Sequence, residues 1–193
     1  MLHVDLNQAV STFGASIKAK ISNAAILGAA EDQIRAPLEA LMHSLAAYSG
    51  TTDLVMVGET TLSHLNTRPD YGVLRGQSLV GFIEVKAPGK GVDPRRFTDP
   101  NDKSQWERLK ALPNLIYTDG NGFSLWRNGV LEGKPAQFED DIVTAGGSLK
   151  APANLASLIS DFLTWQPEPP PNAPKLAETS ARLCRLLREE VLE

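Results

Sequence analysis

The chain has 193 residues, 42% hydrophobic and 22% charged, the make-up of one globular domain with room for a small appendage. Nineteen Lys and Arg against 23 Asp and Glu leave a formal charge of -4, which excludes nucleic-acid binding through overall basicity and demands a local patch instead. A lone cysteine, Cys184, excludes a disulfide framework and a Cys-based zinc cluster; with no secretory signal and no membrane-length apolar run, a soluble cytoplasmic protein is expected.

Leu6, Val10, Phe13, Ile17 and Ile21 recur at helical spacing and predict an amphipathic helix over 4–21. Ile34, Leu38, Leu41, Met42 and Leu45 predict a second over 31–48. Glu31 and Asp32 suit its N-terminus, and Pro37 either kinks it or lies near its first turn. After Ser49-Gly50 the period becomes that of strands, and 54–57, 71–74 and 79–85 read as three antiparallel strands joined by tight turns. Trp106, Leu109 and Leu112 predict a helix over 101–112 that Pro113 ends, with Trp106 as a core anchor. Asp119-Gly120-Asn121-Gly122, between 115–118 and 123–126, predicts a hairpin, because Asp-Gly and Asn-Gly supply positive φ; the run lacks the spacing of a calcium loop. Leu155, Leu158, Ile159 and Phe162 predict a helix over 154–165. A domain over 1–165 is thus expected, then a proline-rich connector over 166–174 and a terminal segment over 175–193. Leu176, Leu183, Leu186, Leu187 and Val191 make that segment a helix, with Cys184 a small core residue.

The residues richest in chemistry are Arg68-Pro69-Asp70 and, after 13 intervening residues, Glu84-Val85-Lys86. Alternation along a strand places Glu84 and Lys86 on one side and Val85 on the other. If the strand bearing Asp70 is its neighbour, three ionisable groups meet at one edge. Two carboxylates are the hard oxygen ligands that magnesium takes, while a lysine ammonium cannot ligate but can hold the attacking water or stabilise charge at phosphorus. Such a set points to metal-assisted hydrolysis of a phosphodiester. A charge at position 84, directly after Leu79, Val80, Phe82 and Ile83, also needs partners or a metal. The plain alternative is a turn aspartate and a strand-end charge pair. Between 86 and 110, seven basic residues against four acidic ones give a local charge of +3, and Lys90, Arg95, Arg96, Lys103 and Arg108 are candidate phosphate contacts. Lys86-Ala-Pro-Gly-Lys-Gly lacks the spacing of a phosphate-binding loop, and His3, His43 and His64 lack ligand spacing.

Pro69-Asp70 followed by Glu84-Val85-Lys86 resembles the signature of the PD-(D/E)XK nuclease superfamily, and the element order over about residues 28–128 is similar to its αβββαβ core. The resemblance implies a restriction-endonuclease-like α/β fold, a mixed central sheet flanked by helices. It also implies magnesium held by Asp70, Glu84 and the Val85 carbonyl, with manganese as a substitute, and Lys86 positioning water. A metal-organising glutamate on the first core helix is implied as well; Glu31 is the preferred candidate and Glu39 its competitor. Gln105, read as opening the next helix, stands where some members carry a Gln-x-x-x-Tyr motif, although Leu109 holds the Tyr position here. The stretch 68–129 looks most like the nuclease domain at the N-terminus of long bacterial restriction-modification proteins fused to an adenine methyltransferase. That likeness implies a DNA endonuclease with a methyltransferase or specificity domain, or a second nuclease copy, as partner. A non-catalytic DNA-binding or assembly module that keeps the fold is the rival reading, and a helical docking domain with an incidental acidic pair is a third.

Overall fold

The computed structural model describes residues 5–22, 28–62, 66–167, 172–174, 176–177 and 180–181. His3, His64, Cys184 with most of the predicted C-terminal helix, and part of the proline-rich connector lie outside these residues. Helix α1 (Leu6–Ile21) starts where Asp5 accepts hydrogen bonds from the Asn7 and Gln8 amides, and it ends with Lys18 and Lys20 in its last turn. Helix α2 (Ala30–Tyr48) has no side-chain cap; Glu31 and Asp32 in its first turn complement the exposed amides. Pro37 lies buried in its interior rather than in its first turn.

Strands β1 (Leu54–Gly58), β2 (Tyr71–Arg75), β3 (Ser78–Val85), β4 (Leu115–Thr118), β5 (Gly122–Arg127) and β6 (Val130–Gln137) lie in that order in one sheet. The β3–β4 pair is parallel and the other neighbours are antiparallel, so the sheet is mixed as expected. A parallel pair needs a crossover, and here the crossover carries helix α3 (Pro100–Leu109) over one face. Asp99 caps α3 through the Asn101 and Asp102 amides, and Pro100 sits at its first position. A short helix α4 (Ile142–Ala145) and then α5 (Leu155–Leu163) complete the described elements.

The two faces of the sheet make two cores. Helices α2 and α5 cover the face bearing Tyr71, Val73, Ile83, Val85, Ile116 and Leu125, and α1 joins that core by packing against α2 and α4. Helix α3 packs through Trp106 and Leu109 on Phe82, Leu115, Tyr117 and Trp126. Strand β3 is therefore covered on both sides, which is why its alternation reads as a continuous apolar run in the sequence. Trp106 stands edge-on to Tyr117 and Trp126, with ring centroids 5.8 and 4.9 Å away, in the anchoring role expected of it. This is a mixed α/β architecture of the restriction-endonuclease-like kind. Among the described residues no helix is long and apolar enough to cross a membrane.

The structure departs from expectation in four places. Of the two connections among the first three strands, only β2–β3 is a tight turn, through Gly76-Gln77 with Gly76 at φ 59°; β1 and β2 are joined by the longer segment 59–70, drawn together at Leu62 and Thr67. Helix α3 ends at Leu109, so Leu112 is buried beyond it rather than on it, and Gln105 stands in mid-helix rather than at its start. Strand β6 was not expected, because Gly133 and Pro135 interrupt its alternation; both are tolerated on an edge strand. Helix α4, one turn long, gives too few residues for a periodicity.

Asn114 fastens β3 to α5. Its side-chain amide donates to the Val80 carbonyl at 2.7 Å and the Phe162 carbonyl at 2.9 Å. Close by, a Cβ at Gly81 would meet Asn114 O and the Phe162 ring at 2.6 Å. Asn114→Ala removes both bonds, leaving the Phe162 carbonyl with the Trp165 amide at 3.4 Å, and is expected to lower stability by about 1–3 kcal/mol in urea unfolding, with the m-value unchanged. A loss below about 0.5 kcal/mol would contradict this role.

Candidate active site

The parallel β3–β4 pair ends where Glu84 faces Tyr117 and Val85 faces Thr118, and the Lys86 amide extends the ladder to the Thr118 carbonyl at 2.7 Å. On its other edge the Val85 amide finds no strand residue. It donates instead to Asp70 Oδ2 at 2.7 Å, so the aspartate side chain continues the β2–β3 pairing past the start of β2. The N–H and C=O of a strand residue point to the same edge, so the Val85 carbonyl also faces the Asp70 side. Asp70 thus lies at the edge predicted from the sequence spacing.

Glu84 and Lys86 project together beneath α3, as alternation requires, and both are buried, with 2% and 6% of their surface exposed. Lys86 Nζ donates to Glu84 Oε1 at 2.9 Å and to Gln105 Oε1 at 2.6 Å, while Gln105 Nε2 donates to the same Glu84 oxygen at 2.6 Å. The three side chains form a closed triangle. Asp102 lies 3.4 Å from Lys86 and 2.6 Å from Lys90, coupling the triangle to the loop after β3. Glu84 Oε2 is buried and finds no hydrogen-bond partner among the described residues, and neither does the hydroxyl of Tyr117, its register partner. The two residues are neighbours in the β3–β4 register, and a buried carboxylate oxygen without a donor calls for a further ligand.

Burial pushes the Glu84 carboxyl up to about 7, and the Asp70 charge adds to this, against the pull of Lys86 and Gln105. Burial also raises Asp70, though the Val85 amide, Arg35 and Lys86 oppose it. For Lys86, burial works against the charge, but Glu84 first, then Glu31 and Asp102, outweigh it and hold Lys86 above its ordinary value. Lys86 is therefore a cation at neutral pH and a donor rather than a base.

Helix α2 closes the site from the opposite face. Its Glu31 is half-buried; burial raises its carboxyl, Lys86 opposes that and Asp70 adds to it, so its charge reaches both groups. Glu39, two turns on, instead takes the Tyr71 hydroxyl. Among the described residues no three His, Cys, Asp or Glu side chains converge as a metal nest, so Glu31 stays outside the Asp70–Glu84 pair. Sequence reasoning missed Arg35, whose Nη2 donates to Asp70 Oδ1 and whose Nη1 lies 3.5 Å from Glu59. The four-residue step from Glu31 to Arg35 on one helix face was its available signal. It also missed Asp119, buried at the end of β4, which accepts from the Gly91 amide at 2.8 Å and pins the loop after Lys86.

The candidate phosphate contacts are scattered. Lys90 is paired with Asp102, Arg95 is bonded through two nitrogens to Asp93 and lies over the Trp126 ring, and Arg96 shares Asp93 at 3.5 Å. Lys103 is exposed on α3, and Arg108, on the same helix, is partly buried.

No protein-family model matches this sequence, and no curated protein does. Among solved structures, the chain is similar to a DrdV–DNA complex determined by cryo-electron microscopy, with a TM-score of 0.57 and 21% identity. The match covers 83% of this chain and 14% of that one. At this identity the likeness concerns the fold.

A raised carboxyl carries a testable sign. The stability tied to protonated Glu84 is fully present below its ordinary value of 4.5 and is lost as pH rises through about 7. In EDTA, Glu84→Gln is expected to flatten this part of the pH profile and to melt above the unsubstituted protein at pH 8. Superimposable profiles would contradict the burial of a charged Glu84.

Proposed function

We propose that the chain is a metal-dependent DNA endonuclease domain of the kind that serves restriction-modification or phage defence. The observation that carries this reading is the burial of Asp70, Glu84 and Lys86 at one point of the sheet, with Glu84 Oε2 left unpartnered among the described residues. A purely structural cluster gains nothing from a buried carboxylate oxygen without a donor, whereas a cation site uses it. The residues fit a hard divalent ion: Asp70, Glu84 and the Val85 carbonyl offer oxygen donors alone, which suit magnesium and also manganese. Bound there, such an ion would supply Lewis-acid polarisation of the phosphate and a more acidic water.

The chain's own side chains account for the rest. Lys86 holds the attacking water by donating to it and offsets negative charge that develops at phosphorus. Gln105 accepts a hydrogen bond from Lys86 and donates one to Glu84, so it is a positioning residue that fixes both in one rotamer. Glu31 adds negative potential from α2, and Arg35 must release Asp70 Oδ1 before that oxygen can ligate. DNA as substrate is supported by the likeness to the DrdV–DNA complex. A cut through both strands calls for two such sites, so a second copy is the expected partner, and a methyltransferase or specificity domain belongs to the same reading.

The second reading, a DNA-binding or assembly module without cleavage, is favoured because Arg35 occupies Asp70 and no third carboxylate joins the pair among the described residues. Incubation with supercoiled plasmid separates the two. Cleavage is expected with magnesium or manganese, to stop in EDTA, and to fall by about 10³-fold or more in Asp70→Ala and Lys86→Ala. Salt-sensitive binding without cleavage would favour the module, and cleavage that persists in both variants would overturn the residue assignment.

A further inference from the structure

Helix α3 does more than cover the sheet. While Trp106 and Leu109 face the core, Asn101, Gln105 and Arg108 follow one another at steps of four and three and so share a second stripe. That stripe forms one wall of a cleft of about 700 Å³, and Asn66, Thr67 and Arg68 form the facing wall. The cleft opens onto the catalytic cluster through a shared side chain, since Gln105 both lines it and bonds Glu84 and Lys86. On the other wall, Arg68 stands two residues before Asp70.

The chemistry of the lining points to a phosphodiester. Two guanidiniums stand at its walls, with amide and hydroxyl donors between them, and guanidinium is the side chain whose fork matches phosphate oxygens. Among the described residues Arg68 is held by an exposed pair with Glu59 at 3.2 Å, weak enough to yield to a stronger anion. Arg108 keeps its Nε buried with no hydrogen bond among the described residues, and no carboxylate pairs with it there. The one carboxylate in the wall, Asp102, is offset by Lys90 at 2.6 Å and Lys86 at 3.4 Å. Among the described lining residues Leu62 is the one apolar side chain and none is aromatic, so what they offer is hydrogen-bond donors and charge.

We propose that this cleft is a phosphate clamp, in which Arg68 and Arg108 grip the sugar-phosphate unit next to the scissile bond and present the strand to Lys86. The proposal rests on the endonuclease reading. It adds that strand placement comes from backbone contacts at one defined slot, independent of base sequence.

The test uses a fluorescent 20-base-pair duplex, calcium in place of magnesium, and anisotropy titrations from 50 to 200 mM KCl. It compares the unsubstituted chain with Arg68→Gln, Arg108→Gln and, as a cation remote from the cleft, Lys150→Gln. Each arginine variant is expected to bind about 5–10-fold more weakly and to reduce the slope of log K against log salt by about one, equally on two unrelated duplexes. Lys150→Gln keeps the original values, and manganese affinity stays unchanged in both arginine variants. If the unsubstituted chain binds but the arginine variants match it, or lose no more than Lys150→Gln, the clamp is wrong and the endonuclease reading stands. If the unsubstituted chain neither binds duplex nor cuts plasmid, the DNA reading fails and the clamp falls with it.

Discussion

The hydrogen bond from the Val85 amide to Asp70 is the contact on which the site depends. Strand β2 begins one residue after Asp70, and without that carboxylate the last amide of β3 on this edge would be buried and unpaired. By completing the ladder with a side chain, the protein brings a carboxylate to the edge where Glu84 and Lys86 end the strand. The parallel β3–β4 pair does the rest. Its crossover forces a helix over Glu84, and that helix delivers Gln105 and Asp102 to the buried lysine. Fold and chemistry thus meet at one strand end.

Two opposing demands are balanced there. Burial disfavours three charges close together, and Glu84, raised to about 7, carries most of that conflict. Lys86 and Arg35 each neutralise one carboxylate, but Arg35 does so by occupying the oxygen that a cation would need. On the proposed reading, entry of a metal would require that arginine from α2 to move.

Much of this was legible in the sequence, because it follows from periodicity. The two-residue alternation from Phe82 to Lys86 fixed which side chains share a face, and the apolar run before Glu84 showed that its charge would be buried. Asp119-Gly120-Asn121-Gly122 likewise formed its turn. What escaped depends on contacts distant in the chain. The step from Glu31 to Arg35 placed Arg35 on the right helix face, but neither its bond to Asp70 nor that of Asp119 to Gly91 can be read from periodicity, since each is fixed by how elements dock. Strand β6 is different: Asn128-Gly129, with φ of 50° and 80°, is a two-residue hairpin turn written plainly in the sequence, but Gly133 and Pro135 masked the strand beyond it. The local charge of +3 proved a poor guide to a surface, because Asp93 and Asp102 pair with four of its cations.

The central claim is that Asp70 and Glu84 form one cation site. The most direct measurement is anomalous diffraction from crystals of this chain soaked in manganese. The account predicts a peak between Asp70 and Glu84 Oε2, within reach of the Val85 carbonyl, with Arg35 withdrawn from Asp70. Saturating manganese that leaves this position empty and the Arg35–Asp70 pair intact would contradict it.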